Sequence, residues 1–133
     1  MGELSYGFEK RLVETAFEHA VEKVTAALKS EGFGVLTEID VKDTLKKKLG
    51  VDFRRYVILG ACNPDLAHRA LGAEAQIGLL LPGNVVVQEE PPGDVVDSIA
   101  DPRVMFTLVE NVALAPIADE ADQRLRKVIA SPQ

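Results

Sequence analysis

Tyr56-Val57-Ile58-Leu59-Gly60-Ala61-Cys62-Asn63-Pro64 is the stretch that decides the fold. Its first four residues are apolar at successive positions, so both faces of a strand here need cover. This reads as a central strand covered from both sides, or covered by a partner chain. Gly60 to Pro64 stops the strand. Asn63 supplies a side-chain oxygen for an orphan helix N–H, and Pro64 suits the first helical position, where its missing N–H costs nothing. A helix is therefore predicted from Pro64, with Leu66, Ala67, Ala70 and Leu71 buried and Gly72 as its stop.

Upstream, Leu4, Tyr6 and Phe8 alternate with polar residues as in a half-buried strand. Thr15 and Glu18 have capping-box spacing before a helix whose apolar face is Phe17, Ala20, Val21, Val24, Ala27 and Leu28, with Gly32 as the left-handed stop. A second alternating strand spans Val35 to Ile39. Asp40 then caps a short helix carrying Val41, Leu45 and Leu49 and ending at Gly50.

Downstream, residues 73–81 read equally as a short helix or an extended segment. Pro82-Gly83-Asn84 breaks the chain before the β-branched strand Val85-Val86-Val87. Pro91-Pro92-Gly93-Asp94 turns it into a hairpin partner, Val95 to Ile99. Glu89 and Glu90 read as charges protecting an exposed edge. Asp101 caps a short helical stretch through Val109, and Asn111 caps again. A closing helix carries Ile117, Ala121, Leu125, Val128 and Ile129. This order predicts one α+β domain over residues 1–133, with helices packed on one side of a mostly antiparallel sheet. Residues 1–2 and 131–133 are expected to fray.

Composition narrows the function classes. The 133 residues carry a net charge of −6, which disfavours phosphate-backbone partners, so no nucleic-acid binding is expected. Lys46-Lys47-Lys48 is read as a solvated helix face. The longest apolar run, Leu79-Leu80-Leu81, is too short for a membrane span, and no signal peptide is evident, so a cytoplasmic location is expected. Few Asn, Gln, Met and Cys residues hint at a heat-adapted source.

Nucleotide-, phosphate- and calcium-loop motifs are absent from the sequence. With two histidines and one cysteine, no metal site is expected. The candidate ligand-binding residues are Cys62, Asn63, His68 and Asn84. Cys62 at a helix start is either a reactive thiolate or a small buried hydrophobe. Asn63 is a cap or a ligand-orienting amide, and Asn84 a turn-former or part of a polar pocket with Asn63. His68 reaches Cys62 only if the chain bends back, and His19 is read as surface.

Residues 56–64, with Leu66-Ala67-His68, Ala70-Leu71, Gly78 to Pro82, Asn84 to Val87, Glu89, Asp101-Pro102 and Met105, resemble the bacterial and archaeal family called domain of unknown function 302. The resemblance implies a β-α-β4-α fold like that of the TATA-binding protein, and a homodimer. It implies no activity, substrate or cofactor. Members often carry cysteine where this chain has Gly83, so a two-thiol centre would be half missing here. Three functions follow: a small-molecule-binding homodimer with a polar site near the Cys-Asn-Pro turn, a non-catalytic dimeric interaction module, or a single-cysteine redox protein.

Overall fold

A computed structural model describes residues 2–91 and 93–131. Its six strands form one sheet, β1 (Gly2–Leu4), β2 (Gly7–Leu12), β3 (Gly34–Asp40), β4 (Tyr56–Cys62), β5 (Gly83–Glu90) and β6 (Asp94–Ala100). The spatial order is β1-β2-β6-β5-β4-β3, with every neighbouring pair antiparallel. The helices are α1 (Phe17–Ser30), α2 (Val41–Leu49), α3 (Pro64–Ala73), α4 (Pro102–Phe106) and α5 (Ala115–Ala130), with 3-10 turns at Ala75–Leu80 and Val112–Leu114. The chain is a single α+β domain, with one more strand than β-α-β4-α and extra helices in its connections.

Alternation along the strands explains the core. Phe8, Ile99, Val85 and Leu59 stand side by side in register and are all buried. They meet Val24 and Leu28 of α1 and Leu125, Val128 and Ile129 of α5 in one cluster. The expectation of cover on both faces of β4 is corrected. Val57 and Leu59 are buried, but Tyr56 and Ile58 are only half-buried and lie outside that cluster. Their cross-strand neighbours Gln88 and Val86 share that second face. The helix α2 buries none of its residues, so it adds nothing to the main core.

Other local expectations shift for identifiable reasons. The first strand is two, because the chain reverses at Ser5-Tyr6 and Leu4 pairs with Gly7. The capping box at Thr15 does not form. Ala16 is the N-cap residue, one position later, and the Thr15 hydroxyl donates to the Val13 carbonyl instead. Glu18 turns to Arg55, whose guanidinium also stacks on the Phe17 ring at 4.3 Å. Gly72 does not stop α3, which continues to Ala73. There Asn111 Nδ2 donates to the Ala73 carbonyl at 2.8 Å, tying the helix end to a distant loop.

Gly32 and Gly50 do end their helices in the left-handed region, and Asp40 accepts from the Asp43 N–H at 2.9 Å. Glu89 and Glu90 are not on an edge, since β5 lies between β4 and β6, and Glu90 pairs with Arg11 at 2.6 Å. The fraying expected at the ends fails for the described residues. Gly2 pairs with Glu9, and the Ser131 carbonyl accepts from Lys10 Nζ at 2.6 Å. Met1, Pro132 and Gln133, with Pro92 of the expected hairpin turn, lie outside the described residues.

On the core face of β6, Asp97 breaks the apolar rule. Asp97 stands between Lys10 and Val87 in register, is 1% exposed, and neither of its carboxylate oxygens has a hydrogen-bond partner. Burial pushes its pKa up to about 7, against the opposing pull of Lys10. The folded pKa therefore lies above the ordinary carboxyl value of 3.8, so the native state holds the extra proton in that window. This contribution weakens stability as pH rises from about 4 through about 7, at about 1.4 kcal/mol per pKa unit. Urea unfolding of Asp97→Asn should lack this fall. The variant is expected to gain on wild type by a few kcal/mol between about pH 4 and about pH 8, and parallel profiles would contradict the assignment.

Candidate functional site

The turn from β4 into α3 forms as the local sequence dictates. The Leu66 N–H donates to Asn63 Oδ1 at 3.1 Å, the Ala67 N–H donates to the Asn63 carbonyl at 2.9 Å, and Pro64 opens the helix. Asn63 is 7% exposed, so this capping bond is made away from water. Behind it lies Gly32, at φ +84°. A Cβ on Gly32 would fall 2.8 Å from Asn63 Nδ2 and 3.3 Å from a guanidinium nitrogen of Arg124. Glycine is required there twice over, for its backbone angle and for the space taken by the Asn63 amide.

Below this turn is a cavity of about 120 Å³. Leu66, Ala67 and Ala70 of α3 form one wall and Ile117, Ala121 and Leu125 of α5 another. Leu80, Leu81 and Pro82 close a third side, Met105 and Phe106 of α4 a fourth, and Phe33 also contributes. Cys62, Asn63 and Asn84 bring the polar atoms of the lining side chains. No charged side chain lines the cavity among the described residues.

Three of the four candidate residues thus converge on one concavity, and the fourth does not. His68 is on the exposed side of α3 and does not line the cavity. Asn84 belongs to β5 opposite Gly60 rather than to a turn, and is exposed at the rim. The segment that sequence reading left open, residues 73–81, contains the 3-10 turn. It buries Ile77 completely and delivers Leu80 and Leu81 to the cavity.

Cys62 is half-buried and free, and burial pushes its thiol pKa up from the ordinary value. The helix start beside it does not produce a stabilised thiolate, which is the nucleophilic form. Gly83 also lines the cavity, and a Cβ there would meet only the Ala61 carbonyl oxygen, at 3.7 Å. A larger residue fits at that position.

Sequence reading missed the group that holds the α4 wall. Asp101 caps α4 as expected, accepting from the Arg103 N–H at 2.9 Å. Buried Asp122 of α5 then takes Arg126 at 3.0 Å and Arg103 at 3.4 Å, while Arg126 stacks on the Phe8 ring at 4.7 Å. This network ties α4 to α5 and β2, so that Met105 and Phe106 face the cavity from a fixed support. On the far side of Phe106 lies a wider groove of about 430 Å³. Its lining includes exposed Thr107, Glu110 and Val112, so a ligand there would stay largely hydrated.

Among the described residues, no group of three or more His, Cys, Asp and Glu is placed to hold a metal ion. No helix among them is long and apolar enough to cross a membrane.

Comparison with known proteins agrees with this architecture. The model of the family described as "Domain of unknown function DUF302" matches residues 8–132. A crystal structure of an uncharacterized conserved DUF302 protein from Bacillus stearothermophilus is similar at a TM-score of 0.87 and 30% identity. It covers 96% of this chain and 98% of that one. No curated protein matches.

Proposed function

The chain belongs to the domain of unknown function DUF302 family, and from that premise we propose that it binds a small molecule in the cavity beneath the Cys62-Asn63-Pro64 turn. The observation that carries this reading is the convergence of Cys62, Asn63 and Asn84 on an otherwise apolar concavity walled by four separate segments. Pockets with few polar groups in an apolar wall are the usual form of small-molecule sites. Non-covalent binding fits this lining, because burial raises the Cys62 thiol pKa and no basic side chain lies in the lining. That argues against the single-cysteine redox reading.

A homodimer fits the parts of the sheet that the helices leave open. β3 is an edge strand, and Leu36 and Ile39 on it are 67% and 48% exposed. Leu49 and Val51, just beyond it in the chain, are also exposed. Such an edge is a template for a second chain. The acidic, cysteine-poor composition is consistent with a cytoplasmic protein.

A thermal-shift screen tests the site. A ligand at about 100 times its Kd adds about 2.7 kcal/mol of stability, several degrees in Tm. Ala67→Phe, at a half-buried lining position, should fold and lose that shift; an unchanged shift would move the site elsewhere. Sedimentation at micromolar concentration tests the assembly. A dimer that becomes monomeric in Ile39→Lys is expected, and a wild-type monomer would refute it.

A further inference from the structure

We propose that the ligand is a neutral one-ring molecule, aromatic and carrying a single hydrogen-bonding substituent, and that ionised molecules of the same size are excluded. This deepens the reading of the cavity given above and rests on it.

Charge is the first discriminator. Every side chain lining the cavity is uncharged among the described residues. Arg124, which lies beside Gly32 behind the turn, is already spent on the Glu31 carbonyl at 3.1 Å and on Glu120 at 3.1 Å. A carboxylate, phosphate or ammonium group drawn inside would lose its hydration with no counter-charge to replace it, which strongly opposes binding. The start of α3 offers little compensation, because the Asn63 side chain already occupies the Leu66 N–H.

Size and shape are the second. An apolar cavity of about 150 Å³ holds benzene, and this one measures about 120 Å³. Phe33 and Phe106 offer ring faces or edges, and Met105 with Cys62 offers polarisable sulfur, a surface that favours aromatic over alkyl guests. Asn84 is the polar lining side chain most open to a substituent. Asn84 stands exposed at the rim, and Asn63 lies buried at the turn with Oδ1 engaged. A ring seated against Leu66, Ala70 and Leu125 therefore directs its substituent towards Asn84.

Three probes of one size separate the classes: benzyl alcohol, benzoate and benzylammonium, titrated near neutral pH and followed by NMR of the leucine and isoleucine methyls. Benzyl alcohol is expected to bind at least tenfold more tightly than either ion, to perturb Leu66, Leu81 and Ile117, and to lose binding in Ala67→Phe. Asn84→Ala should weaken benzyl alcohol severalfold and leave toluene unchanged. If either ion binds the same methyls as tightly as benzyl alcohol, the ligand class is wrong while the cavity remains the site. If no probe perturbs those methyls, the class and the site reading both fall.

Discussion

The carboxamide of Asn63 is the joint on which this structure turns. Its oxygen accepts the Leu66 N–H in a buried setting, which starts α3 at Pro64, with Asn63 alone between it and the end of β4 at Cys62. Its nitrogen side lies against Gly32, where any side chain would collide with it. The same amide therefore fixes two junctions, the exit from β4 and the exit from α1. With both set, α3 and α5 flank one cavity, and residues distant in sequence meet there.

The second organising fact is the one-sidedness of the core. Helices α1 and α5 take one face of the sheet, and the residues of the other face stay outside the main cluster. A sheet of six antiparallel strands tolerates this because alternation can present polar and apolar faces separately. Here the second face is not fully polar. Tyr56, Ile58 and Val86 lie on it half-buried, and Val96 is buried between its register neighbours Arg11 and Gln88. The open β3 edge continues this partly apolar surface. The core face carries the opposite exception in Asp97, whose carboxylate opposes the burial that surrounds it.

Much of this was legible in local grammar, and most of the failures were long-range. Asn63-Pro64, Asp40, Gly32 and Gly50 act through bonds within a few residues, so reading them in sequence sufficed. Thr15 has the right spacing for a cap, but the helix begins one residue later and Glu18 is drawn to Arg55. Glu89 and Glu90 look like edge charges because only pairing with β4, some thirty positions away, makes β5 interior. Of the site, Cys62, Asn63 and Asn84 were found because polar residues stand out in apolar runs. His68 stood out equally, and helix phase sent it to solvent. The Asp122 network carried no signal, since it joins three segments and its charged members Arg103, Asp122 and Arg126 each look like surface charges.

Ligand binding here depends on a cavity that is apolar, enclosed enough to be selective, and reachable from solvent. Xenon tests all three together, because it binds dry apolar cavities and has no polar requirement. In a crystal under xenon pressure, an electron-density peak is expected among Leu66, Ala70, Leu81, Phe106 and Leu125. A hydrogen-bonded cluster of ordered water at that position, with no xenon peak, would contradict it.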